Sequence, residues 1–414
     1  MTRNGKLSII YGLSAALAAA ICIVEGVGFT YDSQSYVDAW DYLNFYWRTP
    51  VYPLLIGLMK ISFGNGYLWG VIAVQNLVFL LSLRYLYDLL LWTGASERTA
   101  FWLTLLYGVH PGILCWNNYI MTEYLAVSFT IFIVWEIKAI LEGGSWKSVL
   151  LLVVFLSLLV FLRPAQIYFL PVLLLVFGAM SLAEKSRRQG IKGLSGVLFS
   201  CLLALLYCGI FQAHYGVFTP SGVGIENQYY IGRQHGLITP ETIRNRDMAE
   251  FLAQYASDPE NYPKGYFYKE MGDVRDRFGI IAIRDEVRLS RAETPEGWIH
   301  AAWERLKSSA SERLLNHGWL DGVREVVGIR ISAAYLFLIF FGGFIVVRIC
   351  RKRQVPWFTL TVLALVIANY AVTVLGAQND WARLDFPSTP LLFLLAGLVC
   401  TMIRPKPVRE INLV

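Results

Sequence analysis

Residues 148 to 183 read SVLLLVVFLSLLVFLRPAQIYFLPVLLLVFGAMSLA, and they decide what kind of molecule this is. Arg163 is the single charged side chain, placed beside Pro164 where one apolar run ends and the next begins. A helix needs about 20 apolar residues to cross the hydrocarbon of a bilayer. The rest of the chain repeats the theme. Of 414 residues, 56% are hydrophobic and only 16% are charged, whereas a soluble domain carries about 25% charged residues. Aromatic residues make up 14%, with 13 Trp and 23 Tyr, as suits a protein with many helix ends at headgroup level. A soluble reading is excluded.

Hydropathy predicts an all-α polytopic membrane protein with about ten spans, near 7–28, 67–91, 100–116, 122–141, 148–163, 166–183, 194–213, 331–349, 356–377 and 388–403. Loop charges test that count. With a cytoplasmic N-terminus, Arg3, Lys6, Arg98, Lys147, the cluster Lys185–Arg187–Arg188–Lys192, the run Arg348–Arg351–Lys352–Arg353 and the tail Arg404, Lys406 and Arg409 all fall inside. The short outer loops keep few basic residues, chiefly Arg48, Lys60, Arg163 and Arg383. This is the asymmetry of the positive-inside rule, and it favours an even number of crossings. Ala16-Leu17-Ala18 could pass for a signal-peptidase site, but the run is longer than a signal core, so an uncleaved first helix is expected.

The expected organisation is an N-terminal membrane module over 1–213, an extracytoplasmic subdomain over 214–330, and C-terminal spans with a cytoplasmic tail over 331–414. Within the first module the outer loop 30–66 contains an apolar piece through Met59, too short to cross and read as an interfacial helix. Block 214–330 has mixed charge, helix-periodic stretches at Asp273–Arg288 and Glu296–Leu315, and turn signals at Thr239-Pro240, Asp258-Pro259 and Thr294-Pro295, so it reads as mainly helical. A net charge of +6 excludes a strongly basic nucleic-acid surface. The 6 Cys have no CxxC spacing, the five His form no HExxH, and the glycines form no nucleotide-binding pattern.

Ionisable side chains near headgroup level are costly to keep there and mark functional sites. Four outer places qualify: Asp32 with Asp38 and Asp41, Glu123, Arg163 and Arg383. Asp32 opens a predicted helix with Ser35 and Tyr36 on its face, so it is either a helix N-cap or a general base, and the two roles are compatible. Glu123, after Thr122, is either an ordinary first-turn acid or a second acidic group facing the Asp32 loop. Arg163 and Arg383 either snorkel to headgroups or hold a phosphate, whose oxygen pair suits the guanidinium fork.

In order along the chain stand Asp32-Ser-x-Ser-Tyr36, Arg48-Thr-Pro-x-Tyr52-Pro53, Thr122-Glu123, Arg163-Pro164, and Arg383 ahead of Pro387. This ordered set, over about the first 175 residues and the last two spans, resembles the bacterial GT-C glycosyltransferases, which include protein O-mannosyltransferase-like and aminoarabinose transferase-like membrane enzymes. The resemblance implies a GT-C-like bundle in the bacterial cytoplasmic membrane with an active site on the extracytoplasmic side. Asp32 would be the catalytic base and Glu123 the second acidic group. Arg163, Arg383, Arg48 and Lys60 would bind donor phosphate, with Tyr36 and Tyr52 lining the substrate. The implied reaction is inverting transfer of a sugar from a polyprenyl-phosphate donor to a hydroxyl of a glycan, lipid or protein. Some relatives use a divalent metal, so Mg or Mn between Asp32 and Glu123 is one option, and metal-free catalysis is the other. Two rivals stand beside this reading: a flippase or transporter, expected to bury charges at mid-membrane depth, and a glycan polymerase or ligase centred on arginines of 214–330 such as Arg233, Arg244, Arg246, Arg275 and Arg277.

Overall fold

The computed structural model describes residues 2–30, 32–256, 267–314, 329–352, 356–376 and 381–403. The expected basic tail, Arg404 to Arg409, lies outside them. Helix α1 (Arg3–Glu25) is followed by a short α2 (Ser33–Asp41), α3 (Val51–Phe63) and α4 (Tyr67–Trp92). Next come α5 (Glu97–Val109), the single turn α6 (Pro111–Leu114), α7 (Glu123–Leu141), α8 (Trp146–Leu162), α9 (Phe169–Leu182) and α10 (Arg187–Tyr215). Among the described residues, seven helical stretches are long and apolar enough to cross a membrane, which makes this a multi-pass membrane protein.

The seven do not coincide with all ten expected spans. The third, 100–116, is divided in two. Pro111 has no N–H to continue the helix, so α5 stops at Val109. His110 is extended there, with φ −64° and ψ 124°, and its Nδ1 accepts from the Gly112 N–H to open α6. Helix α8 has 17 residues, and the apolar part of the eighth expected span covers only Ser332–Val347. Apolar residues run almost unbroken from Val51 to Trp92, yet Gly64-Asn65-Gly66 turns the chain back. Gly64 holds a left-handed φ of 51° that a Cβ would resist. Helix α3 therefore doubles back along α4, and the Tyr52 hydroxyl reaches Gln75 at 2.5 Å.

Helix α7 is the core of the bundle: 72% of its apolar window is buried, against 17% for α1. It packs on α4 and α8, while α9 and α10 pair beside them. One end of the bundle collects basic groups. There Arg3 pairs with Asp88, Lys6 with Glu97 and Lys138 with Glu142, and Lys192 Nζ donates to the Gly144 carbonyl at 2.7 Å. At the opposite end lie the loop after α1, the start of α7 and the end of α8.

Beyond α10 the chain forms α11 (Val223–Gln234), α12 (Arg246–Ala256), α13 (Phe267–Glu293, kinked at Gly279) and α14 (Pro295–Ser311). These helices enclose a separate apolar cluster containing Tyr229, Met248, Leu252, Val274 and Ile283. A two-residue antiparallel pair, Arg313–Leu314 with Ile329–Arg330, precedes the C-terminal helices. Those are α15 (Ile331–Lys352), α16 (Trp357–Gly376), α17 (Trp381–Asp385) and α18 (Thr389–Ile403).

Candidate active site

Backbone pairing brings the first acidic groups together. The Gly28 N–H donates to the Asn118 carbonyl at 2.8 Å, and the Ile120 N–H donates to the Gly28 carbonyl at 3.1 Å. The side chains of Asn118 and Asn117 reach back to the carbonyls of Gly26 and Ala18, at 2.9 and 2.8 Å. The chain leaving α1 is thus tied to the chain entering α7, which sets Asp32 beside Glu123. Helix α2 is seated on α3 through Gly57, where a Cβ would come within 2.3 Å of the Trp40 indole. Only glycine permits that approach.

At this end an ion-pair row crosses the molecule. Arg48 Nη2 donates to Asp32 Oδ1 at 2.7 Å, and Arg383 Nη1 donates to Asp32 Oδ2 at 2.8 Å. Arg383 Nε lies 3.7 Å from Glu123 Oε1, which pairs with Arg163 Nη1 at 2.8 Å. Arg163 Nη2 donates to the Arg383 carbonyl at 3.3 Å, fixing α17 against the end of α8. Pro164 ends α8, and the extended backbone of Arg163 aims its side chain across the bundle. Five side chains from five distant stretches converge.

Asp32 sits at the N-cap of α2, but its side chain caps no backbone N–H. Both carboxylate oxygens go to guanidinium groups. Burial pushes the Asp32 carboxyl up, and Arg48 and Arg383 together more than offset this, so its pKa lies below the ordinary value. Thr122 likewise makes no cap bond; its hydroxyl donates to Glu123 Oε2 at 3.4 Å and lies 3.5 Å from the Tyr36 hydroxyl. Arg48 is held from three sides. Its Nε donates to Ser35 Oγ at 2.7 Å, its Nη1 to the Tyr36 hydroxyl at 3.4 Å, and its guanidinium stands 4.4 Å over the Tyr36 ring.

Tyr52 is buried beneath the row and meets Tyr36 edge-on at 5.0 Å, so it supports Tyr36 from below. Lys60 is engaged elsewhere, paired with Asp41 at 2.5 Å and placed over the Tyr67 ring. Asp38 accepts from Gln34 at 2.8 Å within α2. Among the described residues, no three His, Cys, Asp or Glu side chains gather in a metal-holding group. Asp32 and Glu123 each offer oxygens already supplied with donors, and a dication between them would face three guanidinium charges. This donor set does not fit a metal.

Sequence reasoning missed Asp385. It stands two residues past Arg383, fully buried, with its backbone carbonyl accepting from Asn369 Nδ2 at 3.2 Å and Ser388 Oγ at 2.7 Å. An acid at the mouth of the apolar run 386–403 was the available signal. Compared with known proteins, this chain matches no protein-family model and no curated protein.

Proposed function

We propose that this chain is a membrane glycosyltransferase of the GT-C type. It moves a sugar, with inversion, from a polyprenyl-phosphate donor to an acceptor hydroxyl at the extracytoplasmic face of a bacterial cytoplasmic membrane. Asp32 is the general base. The observation that carries this reading is one carboxylate bonded through separate oxygens to two guanidinium groups, 16 and 351 residues away in sequence. All three side chains keep about a fifth of their surface exposed, so an arriving anion can reach them.

A phosphate presents the same oxygen geometry as the carboxylate, with more charge. On donor binding, Arg383 turns from Asp32 to the phosphate, while Arg163 and Glu123 hold its backbone in place. Asp32 then loses one of the two guanidinium charges that depress its pKa and becomes a better base. The acceptor oxygen bonds to the anomeric carbon on the face opposite the phosphate. The carbon–oxygen bond to phosphate breaks, and its electron pair leaves with the polyprenyl phosphate. The hydroxyl proton ends on Asp32. Phosphate needs no proton to depart, so one base suffices, and general-base assistance of this kind supplies about 10²–10⁴ in rate.

The polymerase or ligase rival places the site among arginines of the helical subdomain. There Arg233 pairs with Glu270, Arg244 with Glu293, Arg246 with Glu250 and Arg275 with Glu226, while Arg277 covers Phe251. These partners lie within the subdomain, which favours the Asp32 row as the reacting centre. The flippase rival calls for charge at mid-depth, whereas the row lies at helix ends. Binding of sugar-free polyprenyl phosphate to nanodisc-embedded protein tests the donor assignment. Arg383→Ala should weaken it by about tenfold through loss of a charge-assisted bond. Equal affinity in a folded variant would overturn it.

A further inference from the structure

Residues 42–47 lead from α2 into Arg48, and the helical subdomain grips them. The Glu226 carboxylate, 4% exposed on α11, gathers three donors on Oε1: the Tyr46 hydroxyl at 3.1 Å, Trp47 Nε1 at 3.4 Å and Arg275 Nη1 at 3.3 Å. The Arg275 guanidinium, also bound to Asp276, lies 4.6 Å over the Trp47 ring. The Gly222 N–H donates to the Tyr46 carbonyl at 2.9 Å, and a Cβ on Gly222 would come within 2.3 Å of the Tyr46 ring. Asn44 Oδ1 accepts from the Tyr215 hydroxyl at 2.9 Å. Leu43, largely exposed, holds a left-handed φ of 50°, a conformation that an L side chain resists unless its surroundings impose it.

We propose that the subdomain is a positioning element for the Asp32 row, with Glu226 and Arg275 as its working residues. Arg48 follows Trp47 directly, and one residue spans only about 3.8 Å, so wherever Trp47 is held, Arg48 is aimed. The clamp thereby sets how firmly Arg48 holds Asp32. Asp32 faces Arg48 and Arg383, with Tyr36 and Glu123 as the next ionisable groups, each in contact with one of those arginines. Releasing the clamp frees the backbone ahead of Arg48 and leaves Ser35 and Tyr36 alone to hold its guanidinium, so it loosens one of two cations on the carboxylate and leaves the other.

This inference rests on the proposed function only for its kinetic readout, so the deciding measurement is spectroscopic. The protonated Asp32 carbonyl stretch, isolated by difference infrared against Asp32→Asn, reports the pH at which Asp32 titrates in full-length protein. Glu226→Ala should raise that pH. Glu226→Gln keeps an acceptor for Tyr46 and Trp47 but drops the charge for Arg275, and should raise it less. The surface variant Glu250→Gln should match wild type. In a donor assay the acid limb of kcat/KM of Glu226→Ala should move upward, in step with the infrared titration. If Glu226→Ala does not fold, Arg275→Gln carries the test, with a shift in the same direction. An unchanged Asp32 titration in a folded clamp variant would overturn the proposal. Absence of transfer by wild-type protein would count against the glycosyltransferase reading alone.

Discussion

Two carboxylate–arginine pairs stand side by side at one end of the bundle and differ in what surrounds them. Glu123 and Arg163 are almost fully buried, with side chains 2% and 8% exposed, whereas Asp32 and its two arginines are 18–25% exposed. Removing one partner of a buried pair strands an uncompensated charge, so such a pair is held for good once formed. A pair that keeps about a fifth of its surface exposed retains a path to solvent and exchanges partners more readily than a fully buried one. The buried half is therefore suited to hold geometry, and the exposed half to trade a carboxylate for a phosphate.

The sharpest way to break this contrast is on stability. Glu123→Ala should cost about 3–5 kcal/mol by leaving Arg163 buried without its counter-charge, whereas Asp32→Asn, which keeps a hydrogen-bonding oxygen at a site with a path to solvent, should cost less. Thermal unfolding of the two variants in the same detergent compares them; equal losses would erase the distinction. Next comes pH. Asp32 has a depressed pKa in the folded protein, so its contribution is present above the ordinary carboxylate pKa and is lost as pH falls through the lower folded value. The acid limb of kcat/KM should lie below the ordinary carboxylate range, and Arg48→Gln should move it upward. An acid limb that stays put would separate Arg48 from the base. The smallest effect belongs to Lys60. It holds Asp41 at the surface, so Lys60→Ala should leave transfer within about twofold of wild type. A large loss there would extend the site beyond the row.

Much of this arrangement was legible in the sequence because membrane charges are few. Asp32, Glu123, Arg163 and Arg383 stood out as ionisable groups at the ends of apolar runs, and the structure joins all four. Partner choice was not legible. Arg48 and Lys60 looked alike as outer-loop cations, and only the fold sends Arg48 to Asp32 and Lys60 to Asp41. Of the two readings open for Asp32, the cap follows local rules, but Arg48 and Arg383 take both carboxylate oxygens instead. The division between α3 and α4 was legible: the apolar piece through Met59 and the span near 67–91 read as separate elements, and the turn at Gly64-Asn65-Gly66 lies between them. The third span showed its break as His110-Pro111, a signal that window-averaged hydropathy smooths away. The clamp at Glu226 was hidden for another reason: Tyr46 and Trp47 lie about 180 residues from it in sequence.

The most direct test is transfer from a polyprenyl-phosphate sugar by nanodisc-embedded wild type and Asp32→Asn, with folding checked on the same samples. The account predicts turnover by wild type and a loss of about 10²–10⁴ in kcat for the variant, with donor still bound. Undiminished turnover by a folded Asp32→Asn protein would contradict it.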